Sequence, residues 1–190
     1  MTLLPPVTPM TFPYYPDKAL LDDLDIPLQM ISEYYMDDRA KRSKVLKMNH
    51  IWEGLAILNF LQTENPDNPR VDAMAAFCIH PLIQADEDFK ENFTWVAKNV
   101  DSYIMGLAVE YRSVANEYLS HREIRDIREI RLSASSEVND MLIADKVQNY
   151  KDFMKYHYGT HPRSAELDQY FKNWITKLDA WFYWEEFKDR

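Results

Sequence analysis

The chain has 190 residues, a length typical of a single domain with one substantial core. Its formal net charge of −9 at pH 7 would repel a phosphate backbone, so we expect neither nucleic acid nor an anionic membrane as a partner. Cys78 is the only cysteine, which excludes an intrachain disulfide and a zinc site built from cysteines.

The low glycine content favours an all-α fold. Only three glycines occur, which leaves little turn chemistry for a many-stranded sheet. We therefore expect one domain, a helical bundle of about six to eight helices. The longest apolar run, 73–79, is too short to cross a bilayer, and the first residues lack the pattern of a signal peptide. These features predict a cytoplasmic protein.

The N-terminal segment, residues 1–16, contains five of the ten prolines together with three aromatic residues. Because proline removes backbone donors and fixes φ, we expect an extended arm that lies on the body or on a partner. The domain proper is predicted over 17–190. Asp17 is suited to cap a first helix that runs to about Met36, kinked or split near Pro27.

The next three predicted helices differ in burial. The second is predicted from about Asp38 to Thr63, with the basic stretch 39–47 as a solvated face. The third begins near residue 70, is almost wholly apolar, and ends at His80 because proline follows. A long helix is then predicted over about 86–119, followed by an exposed helix or connector.

The segment 138–153, VNDMLIADKVQNYKDF, predicts a helix capped by a serine within 133–136. On this helix Asp145 and Asn149 lie one turn apart, in line with apolar residues. A carboxylate placed there needs a partner, which could be a metal, a buried base or an ion pair.

The C-terminal part, 164–190, predicts an amphipathic helix and then an aromatic tail. Four consecutive aromatic residues surround most of a turn, so some must be exposed unless the tail packs on the body or on a partner. These four are the predicted interface: Trp181, Phe182, Tyr183 and Trp184.

Two histidines and one acid lie where metal chemistry would need them. His50 lies on the second predicted helix with Glu53 one turn on, His80 closes the third, and Asp145 lies on the sixth. Neutral imidazoles and a carboxylate suit a borderline or hard divalent cation. Further ligands could come from the acids nearest to the histidines in sequence, which are Glu53, Asp86 and Glu87.

Structural explanations exist for the same three residues. His50 could be a half-buried side chain that is hydrogen-bonded to a neighbour, and His80 could cap the C-terminal end of its helix. Asp145 could form an ion pair with Lys146 or Lys151.

The order His50, then His80 at the end of an apolar helix, then LIADKVQN with Asp145, resembles the HD-domain metal phosphohydrolases, especially the hydrolase domain of RelA/SpoT-type alarmone enzymes. The resemblance covers roughly residues 38–155. It implies an HD-like helical fold in which these three residues hold one divalent metal, commonly manganese. Lys146 and Asn149, beside the last ligand, would then bind substrate.

The sequence departs from the family pattern after His80. Pro81 replaces the family's ligating aspartate, and Gln84 and Ala85 stand where a Glu-Asp pair is expected. A second register is possible, in which IHPL, 79–82, corresponds to the segment that carries the family's first histidine. The following helix then contains no His-Asp pair.

Two functional hypotheses follow. The first is a metal-dependent phosphohydrolase that acts on a small nucleotide-type phosphoester, an alarmone being one option, with Asp86 or Glu53 as the base. The second is an inactive HD-like protein that works as a binding or assembly module. It would contact a protein partner or a second copy through the N-terminal arm and the tail at 181–184.

Overall fold

A computed structural model describes residues 14–41, 43–64, 70–120, 123 and 125–190. Within these residues the chain forms nine α-helices, two short 3-10 turns and no strand, which confirms the predicted all-α bundle. The helices are α1 (Lys18–Asp23), α2 (Asp25–Tyr35), α3 (Met48–Glu64), α4 (Val71–Ile79), α5 (Asp86–Asn99), α6 (Ser102–Glu117), α7 (Ser136–Tyr156), α8 (Ser164–Lys177) and α9 (Trp181–Phe187); the 3-10 turns are His80–Ile83 and Ile127–Glu129.

Helices α4 and α7 form the centre of the molecule. Every residue from Ala73 to Ile79 in α4 is buried, as the apolar run predicts. Helix α7 contacts α3, α4, α6, α8 and α9, so it joins the C-terminal helices to the core. Among the residues that the structure describes, no helix combines the length and the apolarity that a membrane crossing requires.

The described end of the N-terminal arm lies on the body, one of the two predicted positions. The ring of Tyr14 lies 4.4 Å from that of Phe60 and 5.8 Å from that of Phe187, between centroids. The backbone carbonyl of Tyr14 accepts a hydrogen bond from Asn59 at 3.0 Å. The rest of the arm, residues 1–13, lies outside the described residues.

The first predicted helix is split in two. Asp17 caps α1 as expected, because its carboxylate accepts from the amide of Leu20 at 2.9 Å. Pro27 is the third residue of α2, in the first turn, where an amide has no intrahelical acceptor and proline costs no hydrogen bond.

The predicted start of the second helix is wrong. Arg39 pairs with Leu46 in an isolated antiparallel bridge, the described residues of 38–47 are not helical, and α3 begins only at Met48. Five basic residues without an intervening acid would repel one another along a helix, because three pairs of them are three residues apart. Arg39 instead donates to the carbonyl oxygen of Lys44 at 2.8 Å.

The long helix predicted over 86–119 is also divided. Helix α5 ends at Asn99, and Asp101 caps α6 by accepting from the amide of Tyr103 at 2.7 Å. An aspartate that binds its own downstream backbone in this way favours a helix start over a helix interior.

The C-terminal half follows the sequence prediction closely. Ser135 caps α7 by accepting from the amide of Val138 at 3.3 Å. The segment before it is a connector with one 3-10 turn, one of the two predicted alternatives. Helix α8 begins at Ser164, and α9 packs against α7 and α8.

Candidate metal site

The structure brings the three predicted metal ligands together. His50 lies on α3, His80 opens the 3-10 turn after α4, and Asp145 lies in the middle of α7. The two histidine Nε2 atoms are 3.4 Å apart, and Nε2 of His50 is 3.6 Å from Oδ1 of Asp145. One ligand atom from each residue lies within 4.8 Å of the other two. The separations of 3.4 and 3.6 Å are those expected of two ligand atoms that each lie about 2.1 Å from a shared ion.

A backbone carbonyl fixes the tautomer of His80. Its Nδ1 donates to the carbonyl oxygen of Phe77 at 2.6 Å, and since a carbonyl can only accept, Nδ1 carries the proton. Burial, reinforced by the neighbouring His50, lowers the pKa of His80 to about 3, so the ring is neutral at pH 7. Its Nε2 therefore presents a lone pair to the cluster.

A side-chain amide fixes the tautomer of His50. Its Nδ1 lies 2.7 Å from Oε1 of Gln148. The nitrogen of the same amide donates to Glu53 at 3.2 Å and to Asp152 at 2.9 Å. Ionised carboxylates only accept, so the amide oxygen must face His50, and Nδ1 of His50 carries the proton. The predicted hydrogen bond of His50 to a neighbour thus coexists with a free Nε2.

Three acceptor atoms lie close together when both rings are neutral. With a single proton on each ring, at Nδ1, the 3.4 Å contact between Nε2 of His50 and Nε2 of His80 joins two acceptors and is no hydrogen bond. The carboxylate oxygen of Asp145 adds a third acceptor. Acceptors that face one another in a buried site repel, whereas a cation between them would be attracted to all three. Second partners that hold each Nδ1–H are typical of metal-binding histidines.

Asp145 is ionised in spite of its burial. Burial alone would raise its pKa, but the ammonium group of Lys146, 2.7 Å away, holds it below its usual range. Oδ2 accepts from Lys146 at 2.7 Å and Oδ1 accepts from Asn149 at 2.7 Å. Tyr111 also forms a hydrogen bond with this carboxylate. Oδ1 thus remains the oxygen that faces the histidines.

The two residues predicted to bind substrate, Lys146 and Asn149, both contact Asp145. The ammonium group of Lys146 is buried, 5.1 Å from the ring centre of Trp174, and the carboxylate of Asp145 more than offsets the lowering of its pKa by burial. In the structure the two side chains hold the carboxylate in place, and substrate binding stays a prediction. Of the two ion pairs considered from the sequence, Asp145 forms the one with Lys146.

The two predicted bases occupy different environments. Glu53 is buried, accepts from Lys151 at 2.7 Å and reaches His50 only through Gln148. Asp86 opens α5 with its side chain 78% exposed and paired with Arg112. Neither belongs to the group of converging ligand atoms among the described residues, and the same holds for the exposed Glu87.

Sequence reasoning missed Gln148 and Tyr111. A signal for Gln148 was present, because it lies three residues after Asp145 and therefore on an adjoining part of the same helix face. Tyr111 comes from α6, and no local pattern connects it with α7.

Solvent contacts the cluster at His50. Its side chain is 19% exposed, whereas the side chains of His80 and Asp145 are buried. A surface cleft of about 430 Å³ lies elsewhere, around the α1–α2 junction and the start of α6, and no cluster residue lines it.

The aromatic tail packs mainly on its own body. Trp184, predicted to lie at an interface, is buried and stacks on Tyr150 with 4.2 Å between ring centroids. Tyr183 is partly buried against the core. Trp181 and Phe182 remain 38% and 59% exposed, so only this half of the tail presents an aromatic surface.

Comparison of the chain with protein-family models, with curated proteins and with solved structures found no match.

Proposed function

We propose that the chain is a divergent HD-like, metal-dependent phosphohydrolase that acts on a nucleotide-type phosphoester. The observation that supports it is the convergence of His50, His80 and Asp145, each of which offers a ligand atom within 4.8 Å of the other two, from three helical elements in the chain order of that family. Nδ1 of each histidine has its own acceptor, which in a neutral ring leaves Nε2 for a metal.

The chemistry of the ligand set suits this role. Two imidazoles and one carboxylate accept manganese, iron or zinc, and three protein ligands leave coordination positions for water and for substrate. A bound ion would supply an activated water and would polarise the phosphoryl oxygen. The chain's own contribution is to place Nδ1 of each histidine against an acceptor and to keep Asp145 ionised.

Metal analysis tests the proposal. The purified protein, incubated with Mn²⁺ and desalted, is expected to retain one ion per chain and to hydrolyse a nucleotide phosphoester. His50→Ala and Asp145→Asn should lose both properties. Asparagine preserves the size of the buried side chain at position 145, and a thermal unfolding curve of each variant establishes that it is folded.

His157→Ala is the matched control, because His157 lies at the C-terminal end of α7 and outside the cluster. It should bind metal like the parent protein. A parent protein that binds no divalent metal, or binding that is unchanged in His50→Ala and Asp145→Asn, would refute the proposal.

A second candidate function is an HD-like binding module without activity. The exposed rings of Trp181 and Phe182 favour it, as does Pro81 at a position where the family carries a metal ligand. Light scattering of the parent protein and of Phe182→Ser tests it. Self-association in the parent that the variant loses would support this function, and a monomeric parent would exclude self-assembly through this surface.

A further inference from the structure

We propose that Gln148 is a positioning residue that fixes His50 in the one tautomer whose free Nε2 faces the metal site. The inference rests on the proposed function, since the tautomer matters only if His50 binds an ion. Gln148 does not itself join the group of converging ligand atoms. It acts through its hydrogen bond to Nδ1 of His50.

An amide by itself could not select the tautomer. One end of glutamine donates and the other accepts, so a freely rotating Gln148 would satisfy Nδ1 of His50 whether or not this atom carried a proton. A neutral histidine with a proton on Nε2 would point that proton at His80 and would have no lone pair there for a metal. The selection therefore depends on what holds the amide.

Two carboxylates hold the amide of Gln148 in a single orientation. Its nitrogen donates to Glu53 on α3 and to Asp152, one turn further along α7. Rotation of the amide would break two charge-assisted hydrogen bonds and would place an oxygen against two anions. Glu53 also accepts from the buried ammonium group of Lys151 at 2.7 Å, so both of its described partners are donors.

The two histidines of the site are thus fixed in different ways. His80 depends on the backbone carbonyl of Phe77, which no side-chain substitution removes. His50 depends on a side chain, 98 residues away in sequence, that is buried and bound on both of its ends. Gln148 is therefore the position at which the tautomer can be changed without replacing a ligand.

The direct readout is the tautomer of His50 in the metal-free protein, measured by long-range proton–nitrogen NMR of the imidazole nitrogens. His50→Ala identifies the signals. In the parent protein Nδ1 of His50 should carry the proton. In Gln148→Met, which has a similar volume but no acceptor, the proton should move at least in part to Nε2.

Asn173→Leu is the matched control, because it removes a buried amide on α8 that donates to Tyr118 and to the backbone of Arg125, neither of which belongs to the cluster. It should leave the His50 signals unchanged even if it lowers stability. The affinity for Mn²⁺ should fall about 10- to 100-fold in Gln148→Met, as is usual for partners of metal-binding histidines.

The possible outcomes separate this inference from the proposed function. A proton on Nε2 of His50 in the parent protein overturns the inference, and this measurement stands even if Gln148→Met fails to fold. Metal binding by the parent together with an unchanged tautomer in Gln148→Met overturns it as well. The expected tautomer shift in a protein that binds no metal leaves the positioning by Gln148 established and refutes the proposed function.

Discussion

Gly54 and Phe77 determine how closely α3 approaches α4. A Cβ atom at Gly54 would lie 2.1 Å from Cε1 of Phe77, a buried ring that has no free end to move aside. The same ring lies 5.4 Å from the ring of His50 and 4.7 Å from that of His80, between centroids. The contact between the two helices therefore also sets the distance between the histidines.

Gly54→Ala should accordingly damage stability and the site together. We expect a loss of about 1–3 kcal/mol in the free energy of unfolding from overpacking, measured by urea titration, and weaker binding of Mn²⁺. Gly106→Ala is the control, because a Cβ there would meet nothing within 4 Å in a helix interior. It should stabilise the protein by about 0.5–1 kcal/mol. Equal effects of the two substitutions would contradict this account.

At the scale of the element, α7 is unusual for a central helix because it carries buried charges. Each is paired: Asp140 with Arg70, Asp145 with Lys146, and Lys151 with Glu53, at 2.6, 2.7 and 2.7 Å. The partners Arg70 and Glu53 belong to other parts of the chain. These pairs fix the rotation of α7 and with it the direction of Asp145.

Arg70→Met should destabilise the protein because it leaves the carboxyl group of Asp140 buried without its cation. Burial already raises the pKa of Asp140 in spite of Arg70, and loss of the cation should raise it further. We expect a loss of about 3 kcal/mol in urea titration. The double variant Arg70→Met/Asp140→Leu should recover part of it, and a loss larger than that of Arg70→Met alone would show that the pair contributes little.

Helix α9 has two unlike faces, and single substitutions should separate them. Trp184→Ala removes a buried ring stacked on Tyr150 and should cost about 3–5 kcal/mol. Phe182→Ala removes a ring that is 59% exposed and should cost less than about 1 kcal/mol. Thermal unfolding of the two variants measures the difference. Deletion of 181–190 would remove Trp184 and Phe187 as well, so point variants are the cleaner test of association.

For the whole molecule, the neutral His80 predicts a stability that declines with acid. Burial lowers its folded-state pKa to about 3, whereas an unfolded histidine titrates near pH 6.5. Between these values the unfolded chain binds more protons, so stability falls as the pH is lowered from about 6.5 to about 3.

His80 alone can change the free energy of unfolding by at most about 1.4 kcal/mol per pH unit. Urea titrations of the metal-free protein at pH 4, 5, 6 and 7 measure it. His80→Asn should flatten the profile over this range, and a variant with the same slope as the parent would assign the acid sensitivity to other groups.

Local sequence signals determined most of the helices. Ser135 caps α7, Asp17 caps α1, and α4 is buried because its residues are apolar on every side. The predictions over 38–47 and 86–119 were wrong for the same reason in both places. In both places the prediction followed the helical spacing of the apolar residues. The local structure was instead decided by charge repulsion within 39–47 and by the capping residue Asp101.

The sequence by itself determined an all-α chain and the residue types that could hold an ion. Only the tertiary structure decided that His50 meets His80 across 30 residues and Gln148 across 98, and that Trp184 turns inward. The physical reason is one of range. Helix propensity and capping act within a turn or two, whereas the direction of a side chain across a bundle depends on how the helices pack. In this protein that packing depends on the absent side chain at Gly54 and on the buried ion pairs of α7.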